Sequence, residues 1–124
     1  MKIITVHMEF QGHRYAVKGD SNAIDRCIIQ IVIDRIRIRV KQRKHAYRVC
    51  GKLDQYHKDI DELERRLKYL RKQDMPKALK GIELLMPLLH NIHPPRKSAH
   101  NESYRNFINE LQEWAKTPYK YEVQ

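Results

Sequence analysis

The sequence predicts an α+β fold that is mostly helical, with an N-terminal β-hairpin, one long helix and two shorter C-terminal helices packing back on it. Apolar residues alternate between residues 4 and 17, recur at helical spacing between 24 and 70, and are then interrupted by prolines. At 124 residues and 15.0 kDa, the chain has room for one hydrophobic core. We therefore expect residues 1–124 to form a single domain.

The N-terminal hairpin is predicted over residues 1–19. Apolar and polar residues alternate from Ile4 to Phe10, which is the period of a strand with one buried face. Gly12 lies in a short turn and can adopt a positive φ, and the alternation resumes after it. Because an isolated hairpin is barely stable in water, a helix or a second copy of the hairpin must cover its apolar face.

A long helix is predicted over residues 22–72. It follows Asp20, Ser21 and Asn22, which are all preferred N-cap residues, and apolar side chains then recur at helical spacing. Residues 36–40 also alternate as a strand would, so a short strand at that point is the alternative.

The second half of this helix carries the a/d repeat of a coiled coil. Its apolar residues are separated by three and four positions in turn, which is the spacing of a heptad seam. The seam consists of Val49, Leu53, Tyr56, Ile60, Leu63, Leu67 and Leu70. Gly51 marks a point at which the helix can break, since glycine costs about 1 kcal/mol relative to alanine inside a helix. The seam serves either as part of the core or as the interface of a homodimer.

Two shorter helices are predicted at 76–92 and 101–116. Pro76 ends the long helix and suits the first turn of the next one, and Pro87 predicts a kink. Short connections favour antiparallel neighbours, so the apolar stripe between residues 79 and 89 is a candidate partner for the seam.

The segments that flank the last helix are predicted from their composition. Residues 93–100 contain two adjacent prolines and are predicted to be a linker, with Asn101 or Ser103 as the cap of the last helix. Residues 117–124 are predicted to be a frayed or extended tail.

Most of the net charge of +10 lies in one segment. Residues 35–52 carry +8 and contain no acidic residue. The cations are Arg35, Arg37, Arg39, Lys41, Arg43, Lys44, Arg48 and Lys52. Because successive residues of a helix are rotated by about 100 degrees, Arg37, Lys41, Lys44 and Arg48 share one face, and Arg35, Arg39 and Arg43 form a second stripe beside it. A double row of this kind can neutralise several phosphates without sequence preference.

These charges predict a non-enzymatic nucleic-acid-binding protein whose basic helix contacts the phosphate backbone of DNA or RNA. The run Arg43, Lys44, His45 and Tyr47 would also suit an RNA backbone with one stacked base. The alternative is a small inhibitor or adaptor whose basic helix docks on an acidic protein surface, such as the nucleic-acid channel of an enzyme. A homodimer would double the basic surface.

Other classes of function find little support in the sequence. His90 and His93 have no carboxylate or cysteine close in sequence, and the acidic residues between 57 and 62 are not accompanied by a phosphate-binding loop, so no metal site, cofactor or catalytic residue is predicted. The chain has neither a signal-peptide-like apolar run nor the roughly 20 apolar residues of a membrane span. We therefore expect a cytoplasmic protein with no membrane partner.

Overall fold

The structure is a computed structural model, and it describes residues 2–93, 99–116 and 122–123. Its elements are β1 (Ile4–Phe10), β2 (His13–Gly19), α1 (Ser21–Val49), α2 (Leu53–Leu70), α3 (Met75–Asn91), α4 (Ala99–Lys116) and β3 (Glu122–Val123). An N-terminal hairpin followed by helices confirms the predicted α+β class. Residues 94–98 of the predicted linker, and 117–121 and 124 of the predicted tail, lie outside the described residues.

The hairpin turns tightly through Gln11 and Gly12. Their φ angles of 55° and 74° are both positive, as a type I′ turn requires. The register pairs Val6 with Val17, and both side chains are buried. On the other side of β1, Val6 and His7 pair with the backbone of β3, so the sheet order is β2-β1-β3.

Helix α1 begins where its cap predicts. The Asp20 carboxylate accepts a hydrogen bond from the Ala23 amide at 2.8 Å. Ile36 and Val40 are fully buried, whereas Ile38 between them is 42% exposed. In a strand these three residues would share a face, so the alternative of a short strand at 36–40 is wrong and the helical period holds.

The predicted helix over 22–72 is instead two helices, because the chain reverses at Gly51. Gly51 has a φ of +71°, and its amide donates to the Arg48 carbonyl at 3.2 Å. The Lys52 amide donates to the Tyr47 carbonyl at 2.8 Å. This pair of bonds around a left-handed residue is the Schellman motif that ends many helices. Glycine at 51 is therefore a helix terminator and not a tolerated interior residue.

Helix α2 runs back antiparallel to α1. Near the turn the rings of Tyr47 and Tyr56 stack with their centroids 3.9 Å apart. At the far end Arg71, just beyond α2, places its Nε 3.1 Å from a carboxylate oxygen of Asp34 on α1. The two helices therefore touch along most of the length of α2.

The predicted seam becomes part of the core within one chain. Ile60, Leu63, Leu67 and Leu70 are buried, and α2 packs against both α1 and α3. Leu53 and Tyr56 are partly buried against the same core. Val49 is 71% exposed because α1 ends there and the chain turns away. The buried residues of the seam are thus covered by other parts of the same chain, without a second copy.

Helix α3 starts with its own cap, because the Asp74 carboxylate accepts from the Lys77 amide at 3.1 Å. The helix continues through Pro87 to Asn91. Pro87 cannot donate to the carbonyl of Glu83, but both residues are exposed, so water can satisfy that carbonyl.

Helix α4 closes the core from another side. It begins at Ala99, so Asn101 and Ser103, the predicted caps, lie inside the helix. Its Phe107 is 1% exposed, and the ring of Trp114 meets Phe10 of the hairpin edge-on at 6.4 Å. The hairpin, α1, α3 and α4 thus share one core.

Gly51→Ala should lower the free energy of unfolding by about 1 kcal/mol, because alanine is strained at a positive φ. A continuous helix would give the opposite sign, since alanine at an interior position gains a similar amount of helix propensity. Urea denaturation measures the change. Lys52→Ala in the same turn is the control, and a stabilised Gly51→Ala protein would refute the reversal.

Candidate anion-binding surfaces

The cations of α1 between residues 35 and 48 lie on two opposite flanks of its buried face. The arginine flank consists of Arg35, Arg39 and Arg43. The basic row consists of Arg37, Lys41, Lys44 and Arg48 on α1, together with Lys52, which lies just after the reversal at Gly51 and precedes α2. Because residues such as Ile36 and Val40 point into the core between them, the two flanks face different neighbours: α4 on one side and α2 on the other.

Arg39 is held by hydrogen bonds from both ends of its guanidinium group. Nη1 donates to the Ser103 hydroxyl at 3.1 Å, and Nη2 donates to the Gln11 side-chain carbonyl at 3.0 Å. The group also lies 5.4 Å from the centre of the Phe107 ring. Burial, and then the neighbouring charge of Arg35, lower the pKa of Arg39. Arginine nevertheless stays protonated, so a fixed positive charge remains.

Arg43 lies against aromatic rings. Its guanidinium carbon is 4.9 Å from the ring centre of Tyr47 and 5.9 Å from that of Tyr104. The Nε atoms of Arg43 and Arg35 are buried and have no hydrogen-bond partner among the described residues. Within that same part of the chain, no carboxylate forms an ion pair with any residue of the arginine flank. The guanidinium groups of Arg39 and Arg43 therefore contact aromatic faces and form no ion pair within the described residues.

Both tyrosines beneath Arg43 are anchored to backbone carbonyls. The Tyr47 hydroxyl donates to Ile92 and the Tyr104 hydroxyl donates to Leu89, each at 2.7 Å. Burial raises the pKa of both hydroxyls, more strongly for Tyr104. Tyr47 is 4% exposed and cannot stack on a nucleotide base, so the predicted role of this residue in RNA binding is wrong.

A cleft of about 560 Å³ opens between α1 and α4 beside these arginines. Its lining comes from Arg39, Gln42, Arg43, His45, Ala46, Asn101, Ser103 and Tyr104. Of these lining residues, the sequence pointed only to Arg39 and Arg43 as binding residues, because both belong to the basic segment. The contribution of α4 could not be found from spacing, since Arg39 and Ser103 are 64 positions apart.

The basic row is more exposed but partly neutralised. Lys44 forms an ion pair with Glu64 of α2 at 3.0 Å, and Arg37 lies 3.7 Å from Asp34 one turn before it. Lys41, Arg48 and Lys52 are exposed and form no ion pair within the described residues. These three cations, with Arg37 beside them, are the part of the predicted site that faces solvent.

Exposed apolar residues lie next to the basic row. Val49 follows Arg48 directly, and Ile38 lies between Arg37 and the arginine flank on the outer face of α1. The sequence pattern assigned Val49 to the seam, and the reversal at Gly51 leaves it in solvent instead.

Tyr104→Phe should lower the free energy of unfolding at neutral pH by about 1 kcal/mol, because the buried Leu89 carbonyl loses its donor. The raised pKa keeps the folded hydroxyl neutral, whereas the unfolded chain releases this proton near pH 10. Wild-type stability should therefore fall as pH rises above about 10, and the difference between wild type and variant should shrink there. Urea denaturation at neutral pH and above pH 10 measures this difference in the free energy of unfolding. The control is Tyr69→Phe, because the Tyr69 side chain is exposed. If the stability difference between wild type and Tyr104→Phe grows above pH 10, the Tyr104 hydroxyl is not buried as a neutral donor.

In residues 2–93, 99–116 and 122–123, no three His, Cys, Asp or Glu side chains come together as metal ligands; the side chain of His100 is not among those described. No helix in the same ranges is both long and apolar enough to span a membrane. No protein-family model, curated protein or solved structure matches the chain.

Proposed function

We propose that the protein binds the phosphate backbone of nucleic acid, without enzymatic activity, through the basic row. The observation that carries the proposal is the exposure of Lys41, Arg48 and Lys52, which form no ion pair in the described part of the chain. Cations left without acids repel one another in the free protein, and nearby phosphates relieve that repulsion. On binding, the cations also displace counterions that are condensed on the nucleic acid, which favours the complex.

The helical scaffold supports this proposal. Lys41 and Arg48 are two turns apart on a helix whose adjacent face is buried, so the core fixes the backbone at both positions. A fixed backbone loses little conformational entropy on binding, and the entropy cost falls on the exposed side chains. The row offers no side chain set for reading base edges, so we expect affinity that depends on salt and hardly on sequence.

The arginine flank is not part of this proposed surface. Arg39 and Arg43 are occupied with α4 and aromatic rings, so a long polyanion would meet them less readily than the basic row. One chain suffices for the proposed contact, and no second copy is invoked. A cytoplasmic location belongs to the proposal as well, since Cys27 and Cys50 are both free thiols.

A second candidate is an inhibitor or adaptor that docks the same row on an acidic protein surface. The exposed Val49, at 71%, and Ile38, at 42%, favour it, because a phosphate backbone offers nothing to an apolar side chain. An interface between proteins, by contrast, would bury both.

Lys41→Gln/Arg48→Gln/Lys52→Gln should weaken binding to duplex DNA or to single-stranded RNA at least about tenfold at low salt. The slope of log affinity against log salt should fall by about one for each cation removed. Fluorescence anisotropy across a salt titration measures both quantities. The matched control is Lys18→Gln/Lys77→Gln/Lys80→Gln, which removes the same charge from exposed positions elsewhere.

The proposal fails if neither nucleic acid binds at low salt, or if the two triple variants lose affinity equally. Val49→Ser, which leaves the charge unchanged, should leave nucleic-acid affinity unchanged. A protein partner retained after nuclease treatment and lost by Val49→Ser would favour the second candidate instead.

A further inference from the structure

The cleft between α1 and α4 has the size and shape of a small-molecule site. Its volume of about 560 Å³ falls within the range of roughly 300–1,000 Å³ that is typical of ligand pockets. It lies on the arginine flank, and none of the basic row lines it. A ligand there would use other residues than the proposed nucleic-acid surface.

Among the described residues, no acid forms an ion pair with the arginines on one wall of the cleft. Arg39 and Arg43 are one helical turn apart, and Arg35 adds a third positive charge one turn before them. The charge of Glu110 raises the pKa of Arg39, but its two carboxylate oxygens accept hydrogen bonds from the side-chain and backbone nitrogens of Gln11, at 2.7 and 2.8 Å, and not from the arginine. The free protein therefore holds two half-buried cations beside an open cavity.

The two guanidinium groups are fixed in place before any ligand arrives. Arg39 is bonded to Ser103 and Gln11, while Arg43 lies over the rings of Tyr47 and Tyr104. Planar guanidinium groups donate in parallel pairs to the oxygens of phosphates and carboxylates. An anion that entered the cleft would meet oriented donors, so little ordering of side chains would oppose binding.

The remaining lining suits a ligand larger than inorganic phosphate. Gln42 and His45 supply donors and acceptors on α1, and Ala46, the smallest residue of the wall, leaves space beside them. The Ser103 hydroxyl accepts from Arg39 and keeps its own proton to donate.

We propose that this cleft binds a phosphate monoester of mononucleotide size, with Arg39 and Arg43 on the phosphate and with Gln42 and His45 beside the esterified group. A phosphate monoester carries a charge of about −1.5 to −2 at neutral pH, which matches the two arginines. This site goes beyond the proposed nucleic-acid surface and does not depend on it.

Isothermal titration calorimetry of the full chain with adenosine 5′-monophosphate, inorganic phosphate and adenosine tests the proposal. The monophosphate should bind more tightly than inorganic phosphate, and adenosine should bind least. Arg43→Gln should weaken monophosphate binding at least about tenfold, because charge-assisted hydrogen bonds are lost. Arg43→Lys should restore only part of the affinity, since lysine keeps the charge and loses the planar fork.

Arg26→Gln is the matched control, because it removes one exposed arginine from the same helix outside both the cleft and the basic row, and it should leave monophosphate affinity unchanged. Circular dichroism of each variant checks that the fold is kept. Absence of monophosphate binding at low salt, or equal loss of affinity in Arg43→Gln and Arg26→Gln, would overturn the proposed cleft site, whereas the basic row is tested by its own salt titration.

Discussion

The chain reverses direction at Gly51, and the packing of α2 against α1 follows from this reversal. The Schellman bonds around this left-handed glycine end α1 and direct α2 back along it. The heptad residues of α2 consequently enter the core, where Ile60 and Leu67 are fully buried. A continuous helix would instead expose that apolar stripe to solvent and leave it to a second chain.

The reversal also decides what the basic segment can touch. Once α2 and α3 cover one side of α1 and the hairpin covers another, the cations can lie only on the two flanks of the buried face. On one flank Asp34 and Glu64 neutralise Arg37 and Lys44, which leaves Lys41 and Arg48 exposed. On the other flank aromatic rings and hydroxyls take the place of acids. A segment that is uniformly basic in sequence is thus divided into a solvent-facing row and a wall beside a cleft.

Features that depend on near neighbours in sequence could be predicted. The alternation of the hairpin, the cap at Asp20 and the four-residue recurrence of α1 each follow from local geometry. The reversal could not be read from periodicity, because Val49 and Leu53 keep the heptad spacing across the turn. Only the glycine at 51 signalled it, and an interior glycine and a terminating one look alike in sequence.

The site was predictable in composition but not in placement. The arginine flank and the basic row both follow from the helical repeat of α1. The sequence does not show that the arginine flank packs against α4, because Ser103 and Tyr104 are distant in sequence from α1. The effect of Pro87 on α3 also depends on tertiary structure. The helix can continue through Pro87 where the carbonyl one turn earlier is exposed to water, and the sequence does not show that exposure.

We propose that the basic row, and not the arginine flank, binds nucleic acid. Amide chemical shifts of the labelled protein, followed while a short duplex oligonucleotide is added at low salt, distinguish the two surfaces. We expect the largest shifts at Lys41, Arg48 and Lys52, with a return toward the free values as salt is raised. Shifts concentrated at Arg39, Arg43 and Ser103, with the basic row unaffected, would refute the proposal.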